Sequence, residues 1–257
     1  MKAKPRHLTA ENAARFQQPD VVALYHLRMP YPPETFEILL SLLSEPRTLL
    51  DVGTGTGDLA RPLAAQVERV DAVDPSLPMI ETGRQALNGA HPNLCWIQGQ
   101  VEDAALTPPY GLIIGGESIH WLDWRKAFAR FHKLLAPSGW IVIVERGGLP
   151  VPWDADLLPL IQRFSQMQNY ESYDLAEELE KGGFFRLVGQ KITAPVSWTQ
   201  SVEDYIGSFH SMSGLAIAGM PPAAVTEFDN RLRELVTPYS SDGRLTLQTT
   251  AHLQWGK

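Results

Sequence analysis

Three glycines at alternate positions, Gly53, Gly55 and Gly57, follow a short apolar segment that ends in Asp51. A helical pattern begins directly after them. Because glycine has no Cβ, the backbone at these positions can turn sharply off a strand and approach a ligand closely. The segment 49–60 therefore predicts a strand, a ligand-binding turn and a helix, which is the arrangement found in nucleotide-binding folds.

The spacing of this turn differs from the one that binds dinucleotides. That pattern, Gly-x-Gly-x-x-Gly, requires a third glycine at position 58, where this chain has Asp58. Asp51 and Asp58 would also repel a pyrophosphate at the helix N-terminus. A cationic ligand without phosphate suits the turn better, because Asp51 can accept hydrogen bonds from an ammonium group.

Further apolar segments predict strands at 69–74, 93–97, 111–115 and 140–144, with helical patterns between them. Near-continuous apolar strands indicate a parallel sheet that is covered by helices on both faces. Ligands of such sheets bind beyond the carboxyl ends of the strands. Gly53, Asp74, Gln100 and Glu117 are all expected at those ends.

The first of these motifs, Asp51-Val52-Gly53-Thr54-Gly55-Thr56-Gly57, resembles the first motif of class I S-adenosylmethionine-dependent methyltransferases. Asp74 lies about 20 positions after the turn, where an acidic side chain can accept both ribose hydroxyls. The loop 99–103 resembles the family's Gly-Asp-Ala-Glu, whose aspartate holds the adenine amine; here Gln100 offers a carbonyl instead. The resemblance assigns donor binding to Asp51, Gly53, Thr54, Gly55, Gly57, Asp74, Pro75, Met79, Gln100, Val101 and Glu102.

The segment after the fourth strand, 117–124, resembles the methyltransferase branch that includes trans-aconitate and juvenile-hormone-acid methyltransferases. This resemblance implies that Glu117, Ser118 and Trp121 line the donor site and that His120 faces the acceptor as the candidate catalytic residue. The alternative is that Trp121 anchors the next helix in the core and that His120 is a polar neighbour.

The segment 25–33 resembles the Tyr-x-x-x-Arg-Pro-x-Tyr-Pro element that precedes the first strand in many of these enzymes, with Met29 in place of the first Pro. It implies that Arg28 pairs with the donor carboxylate through a bidentate bond and that Tyr25 closes over the donor. The alternative is a surface arginine with packing tyrosines.

The C-terminal part completes the predicted fold. A sixth strand is expected over 185–196 and a seventh, antiparallel strand over 244–253, after helices over 154–168 and 173–181. We therefore predict an α/β fold in one domain, 1–257: a seven-stranded, mostly parallel, doubly wound sheet of the Rossmann-like methyltransferase type, with the last strand antiparallel. Residues 1–45 form an N-terminal helical segment in this prediction.

Residues 200–240 are not needed by the sheet and predict two helices, over 202–212 and 221–236, inserted between the last two strands. The simpler interpretation is a helical pair packed on itself; the functional one is a lid over the acceptor. The apolar side chains of the pair suggest a semi-apolar acceptor. Arg28, Arg146 and His210 are cations expected near its mouth, and they suggest that the acceptor carries a carboxylate.

The formal net charge is −7 and no basic run is present, which argues against nucleic-acid binding. No apolar segment is long enough to span a bilayer, so we expect no membrane partner and a cytoplasmic location. Cys95 is the single cysteine, and its place inside a strand predicts a buried thiol. The histidines show no metal-ligand spacing. Whether the chain is a monomer or a dimer is left open.

These patterns together predict an enzyme that transfers a methyl group from S-adenosyl-L-methionine to a small molecule, at a carboxylate or a hydroxyl, and releases S-adenosyl-L-homocysteine. A nicotinamide-dependent oxidoreductase is a weaker alternative, because the glycine spacing and Asp51 do not suit it. A non-catalytic nucleoside-binding protein of the same fold also remains open. Methyl transfer depends mainly on positioning two ligands, so no obligatory catalytic residue distinguishes the two.

Overall fold

A single mixed sheet organises the structure, a computed structural model that describes residues 4–167 and 170–257. Its strand order is β3-β2-β1-β4-β5-β8-β6, and β7 also pairs with β8. Strands β1 to β5 are parallel, and β8 is antiparallel to its neighbours. The strands are β1 (Thr48–Val52), β2 (Arg69–Asp74), β3 (Leu94–Gln98), β4 (Tyr110–Gly116), β5 (Leu135–Gly148), β6 (Leu187–Ile192), β7 (Val196–Ser201) and β8 (Arg244–Gly256). This architecture confirms the predicted fold class.

The predicted sixth strand is divided into β6 and β7, which lie one after the other along the same edge of β8. The division falls at Thr193, whose backbone N–H donates to the Ala251 carbonyl while its hydroxyl accepts from the Ala251 N–H. Pro195 follows and has no N–H to donate to the ladder. Two separate strands result, so the sheet has eight strands in the described part of the chain where the sequence predicts seven.

Helices cover both faces of the sheet, as the apolar strands require. On one face Phe128 and Phe131 of the helix after β4 pack against Ile141 and Ile143. On the other face, Leu39 and Leu63 pack against Leu49 and Leu112. The helices are α1 (Ala10–Ala14), α2 (Pro19–Leu24), α3 (Pro33–Leu42), α4 (Ala60–Leu63), α5 (Leu77–Gln85), α6 (Trp124–Leu134), α7 (Asp154–Phe164), α8 (Leu175–Lys181), α9 (Val202–His210) and α10 (Pro222–Val236).

Side-chain caps define where several of these helices begin. Asp123 accepts from the Lys126 N–H at the start of α6, and Ser201 accepts from the Asp204 N–H at the start of α9. The helix predicted over 154–168 ends at Phe164, and residue 168 lies outside the described residues, as do residues 1–3 of the predicted N-terminal segment.

The prediction that Cys95 is buried is wrong, because β3 is an edge strand of the sheet and Cys95 is exposed. Leu87 lies beyond the end of α5 at Gln85 and is 83% exposed. The apolar character of a residue does not reveal where a helix or a sheet ends.

Within the described ranges, no helix combines the length and the apolar character that crossing a membrane would require.

Replacing Phe131 by Ala should lower the free energy of unfolding by about 3–5 kcal/mol, because its fully buried ring fills the space between α6 and the sheet. Leu87→Ala is the matched control and should change the same quantity by less than about 0.5 kcal/mol. Urea unfolding followed by circular dichroism measures both. Similar losses for the two variants would contradict the assignment of α6 to the core.

Candidate functional site

The glycine turn after β1 has left-handed backbone at all three glycines, with φ of +63° at Gly53, +57° at Gly55 and +79° at Gly57. The reasons for glycine differ among them. A Cβ on Gly57 would lie 2.6 Å from the Trp96 ring, and one on Gly53 would lie 2.5 Å from the Ser118 Cβ. Among the described residues, the atoms nearest to a Cβ on Gly55 belong to Tyr25, at 3.4 Å or more, and Gly55 lines a cavity.

Asp74, the last residue of β2, is bound to this turn. Its carboxylate accepts from the Gly55 N–H at 2.8 Å and from the Ser76 N–H at 2.7 Å. Burial raises the pKa of Asp74, and the two backbone hydrogen bonds oppose that rise by stabilising the charged form. The result is an oriented, buried acceptor at the wall of the cavity.

The first cavity, of about 290 Å³, lies beyond the carboxyl ends of β1, β2 and β4. Most of the residues predicted to bind the donor line it: Tyr25, Arg28, Gly53, Gly55, Asp74, Pro75, Met79, Gln100, Val101, Glu117, Ser118 and Trp121. The sheet thus brings together segments that are separated by up to about a hundred residues in the sequence.

Part of this wall comes from residues that the sequence analysis did not single out. The N-terminal helix α1 and the turn after it contribute Ala10, Ala13, Ala14, Phe16 and Gln17. The three alanines are spaced as one face of a helix, which is the only signal that pointed to them. Such a face is as common in ordinary packing, so the pattern alone indicates no site.

Four residues predicted to bind the donor lie outside the first cavity. Gly57 packs against Trp96, and Glu102 accepts from the Asp123 N–H. Asp51 is almost completely buried and accepts a hydrogen bond from the Thr54 hydroxyl at 2.6 Å. Asp51 and Thr54 line a separate small cavity of about 10 Å³. Burial is the main cause that raises the pKa of Asp51, to about 7.

A second cavity, of about 540 Å³, adjoins the first. The two share Phe16, Arg28, Glu117, Ser118 and Trp121 as a common wall. His120 faces the second cavity and contacts the ring of Trp121, with the ring centroids 4.8 Å apart. Helix α9 and the residues after it close the opposite side with Tyr205, Ser208, Phe209 and Met212.

Arg28 stands in the common wall and links the N-terminal segment to α9. Its guanidinium stacks on the Tyr25 ring at 4.3 Å, Nε donates to the Ser211 hydroxyl and Nη2 donates to the Ser211 carbonyl. Arg28 therefore lines the cavity proposed for the donor and also connects two segments that are distant in the sequence.

The other two cations that the sequence places at the mouth behave differently. Arg146 is ion-paired with Asp58, at 2.6 Å, and stacks on Tyr31. His210 is buried and bonded to Asp229 and to the Leu215 carbonyl, away from both cavities. Arg28 and Arg146 therefore line the second cavity while bonded to protein groups, whereas His210 lines neither cavity.

Glu117 has an unusual backbone at the common wall. Its φ of +55° is left-handed, and its side chain accepts a hydrogen bond from the Arg146 backbone N–H. Non-glycine residues in this conformation are uncommon and concentrate at functional sites, where the surrounding structure holds them. The sequence had no signal for this strain.

Two further titratable groups face the second cavity. Burial lowers the pKa of His120 to about 3, with Lys4, His7 and Arg28 contributing, so the imidazole is neutral. Glu145, which follows the buried part of β5, was not singled out by the sequence analysis. Burial raises its pKa to about 7, with the charges of Glu117 and Asp174 adding to the effect.

Residues 49–139 match the family model described as a methyltransferase domain. The match covers that segment and not the whole chain. It contains the glycine turn, Asp74, Gln100 and Glu117, so it includes much of the lining of the first cavity.

The chain is similar to a malonyl-[acyl-carrier protein] O-methyltransferase of Halalkalibacterium halodurans, with 33% identity over 110 residues. That alignment spans 40% of this chain and 40% of the relative, so the similarity covers less than half of either protein.

Solved structures share the fold at low identity. A protein of Anaeromyxobacter dehalogenans, provisionally described as a type II methyltransferase, aligns with a TM-score of 0.64 at 20% identity over 89% of this chain and 96% of its own. A phosphoethanolamine N-methyltransferase of Haemonchus contortus, in complex with phosphomonomethylethanolamine and S-adenosylhomocysteine, aligns with a TM-score of 0.52 at 15% identity, over 99% of this chain and 60% of its own.

Alanine substitutions at two of the glycines should distinguish a glycine that is needed for packing from one that is needed for ligand binding. Gly57→Ala should lower the free energy of unfolding by about 1–3 kcal/mol through the clash with Trp96, in addition to about 1–2 kcal/mol for the left-handed backbone. Gly55→Ala should carry only the backbone cost and should weaken binding of S-adenosylhomocysteine. Urea unfolding and calorimetry measure the two effects. Equal destabilisation with unchanged binding would remove Gly55 from the site.

Proposed function

We propose that this protein transfers a methyl group from S-adenosyl-L-methionine to an oxygen atom of a small molecule, a carboxylate or a hydroxyl. The observation that carries the proposal is the pair of adjoining cavities with a common wall at Glu117, Ser118 and Trp121. Methyl transfer is an in-line displacement, which requires two ligands to meet across a short distance while water is excluded.

The first cavity fits the donor by its geometry. Asp74 is held in place to accept from the ribose hydroxyls, and Gln100 offers a carbonyl to the adenine amine. Gly55 has no side chain where the ligand would approach. Arg28 and Tyr25 would hold the methionine carboxylate. S-adenosylmethionine, once bound, supplies a methyl group on a sulfonium, which is the reactive group of the reaction.

The same cavity does not suit a nicotinamide dinucleotide. The buried carboxylates of Asp51 and Asp74 both lie at the glycine turn or directly beside it. A pyrophosphate needs positive groups and free backbone N–H groups at the helix start, and the Gly55 N–H is already bonded to Asp74. The charge of the turn therefore favours the cationic donor.

Methyl transfer to oxygen is supported by the relative from Halalkalibacterium halodurans, which is an O-methyltransferase. The Haemonchus contortus neighbour holds S-adenosylhomocysteine on the same fold, which supports the donor. A protein that only binds a nucleoside would need no second cavity, whereas this chain has one that is larger than the first.

Isothermal titration calorimetry tests the donor. S-adenosylmethionine and S-adenosylhomocysteine should bind, and Asp74→Ala should weaken both by roughly 1.5–3 kcal/mol, because two ribose hydroxyls lose a charged acceptor. Asp156→Ala, an exposed carboxylate on α7, is the control and should bind as the wild type does. NADH should give no heat of binding.

Circular dichroism of Asp74→Ala should match the wild type, which separates lost contacts from lost structure. Binding of NADH, or unchanged donor binding by Asp74→Ala, would contradict the proposed donor. Donor binding without transfer to any of a broad set of carboxylic-acid, hydroxyl and amine compounds would instead support a binding protein.

The proposed lid is tested by hydrogen exchange. Amides of α9 should exchange more slowly when S-adenosylhomocysteine is bound, because Arg28 connects Ser211, directly after α9, to the first cavity. Amides of β1 should change little and serve as the internal reference. Identical exchange in α9 with and without the bound nucleoside would leave the 200–240 region as a packed helical pair and not a lid.

A further inference from the structure

We propose that the methyl acceptor is an uncharged hydroxyl compound with an apolar body, and that Glu145 removes its hydroxyl proton. This inference rests on the proposed function and decides between the two acceptor groups that it leaves open.

Glu145 lies on the acceptor side of the common wall. In the pairing of β4 with β5, Gly116 is opposite Val144, so Glu117, directly after β4, lies beside Glu145 of β5. Glu117 lines both cavities, whereas Glu145 lines only the second. A molecule in the second cavity that meets the donor at Glu117 therefore has Glu145 beside it.

The carboxylate of Glu145 is available to a ligand. Its side chain is 43% exposed, and no protein group in the described ranges donates a hydrogen bond to it. The nearest cationic group is His252 on β8, with Nδ1 3.9 Å from Oε2, and that histidine also bonds to Gln190. Glu117 differs, because one of its oxygens already accepts from the Arg146 N–H.

The protonation behaviour of Glu145 suits a base at neutral pH. Burial raises its pKa to about 7, and Glu117, directly after β4, and Asp174, directly before α8, add to the rise. Tyr173 and His252 also face it. A base is most effective when its pKa lies near the working pH. His120, with a pKa of about 3, is a much weaker proton acceptor and is suited to orienting the acceptor as a neutral hydrogen-bonding group.

The charges at the second cavity disfavour a carboxylate acceptor. Arg146 is paired with Asp58, and Arg28 is bonded to Ser211 and stands where the donor carboxylate would bind. The side chains of Glu117 and Glu145 then face the acceptor, and their negative charges would repel a carboxylate acceptor. A carboxylate acceptor also needs no base, so Glu145 would have no role in its methylation.

Apolar and aromatic side chains form much of the remaining wall of the second cavity, beside the polar His7, Gln200, Ser208 and Ser213. An acceptor with an apolar body fits this wall. Rings and thioethers present broad, adaptable contact surfaces to a ligand. The side chains concerned are Met29, Trp121, Met167, Tyr173, Phe209 and Met212.

The step balances without any further reactant. The Glu145 carboxylate takes the hydroxyl proton, and the acceptor oxygen forms a bond to the methyl carbon as the carbon–sulfur bond breaks. The electron pair of that bond passes to sulfur, so the sulfonium becomes the neutral thioether of S-adenosylhomocysteine. The products are a methyl ether and a protonated Glu145, which returns its proton to water.

Labelled-methyl transfer to matched pairs of hydroxyl and carboxylate compounds tests the acceptor class, with 4-ethylphenol and 4-ethylbenzoate as one pair and hexanol and hexanoate as another. We expect label on hydroxyl members only. Label on carboxylate members only, or on neither member of any pair while the donor binds in calorimetry, overturns the proposal. In the carboxylate case Arg146, whose Nε and Nη1 have no hydrogen-bond partner in the described ranges, becomes the candidate anion-binding group.

The base is tested on the best hydroxyl acceptor of that panel. For the wild type, kcat should rise with pH through an apparent pKa near 7, because Glu145 must be ionised to take a proton. Glu145→Gln should lower kcat by ~10²–10⁴-fold and remove this rise, while donor affinity stays unchanged. Glu145→Asp should retain the pH dependence at a reduced rate.

Glu81→Gln, on the exposed side of α5, is the control and should match the wild type in rate and pH profile. Wild-type kcat and an unchanged pH profile in Glu145→Gln would overturn the role of this residue. Loss of donor binding in the wild type would be a failure of the proposed function and not of this inference, so the two are distinguished by calorimetry.

Discussion

The hydrogen bond from the Gly55 N–H to the Asp74 carboxylate is the interaction on which the site depends. It connects the turn after β1 to the end of β2, and the Ser76 N–H holds the same carboxylate from the other side. A buried carboxylate is costly without such partners. The left-handed backbone at Gly55 belongs to the turn that presents this N–H, and a residue with a Cβ would adopt that backbone only with strain. The spaced glycines of the turn and the acidic residue at the end of β2 are therefore joined by hydrogen bonds, and together they form part of the cavity wall.

A second connection joins the two cavities. Arg28 stacks on Tyr25 beside the glycine turn and bonds to Ser211 after α9, so a single side chain contacts the walls of both cavities. Glu117, strained at φ of +55°, performs the same role from the sheet. Because these residues are shared, a ligand in either cavity would contact them. A transfer reaction needs two ligands held side by side with water excluded, and a common wall suits that requirement.

Site residues could be predicted from the sequence where they belong to local patterns, and not where they depend on contacts between residues that are distant in the sequence. Gly53, Gly55, Asp74 and Gln100 could be located because strand ends, glycine turns and fixed spacings are local patterns. Four residues that are predicted to bind the donor lie outside the first cavity, and their contacts with other protein groups explain their positions. A Cβ on Gly57 would clash with Trp96, which is distant in the sequence. The buried carboxylate of Asp51 accepts a hydrogen bond from the Thr54 hydroxyl. No local pattern distinguishes a glycine that faces a ligand from one that faces a tryptophan.

By itself, the sequence determined the parallel core of the sheet, the position of the glycine turn and the acidic residue at the end of the second strand. Each follows from a local pattern: the periodicity of apolar residues, the absence of a Cβ in glycine, or a fixed spacing. Only the tertiary structure decided which charges are free. Asp58 neutralises Arg146 from 88 positions away, Asp229 engages His210 inside the helical pair, and Glu145 is left open to the second cavity. Charge is a property of a residue, whereas compensation is a property of the three-dimensional contacts, and these form only when distant segments pack together.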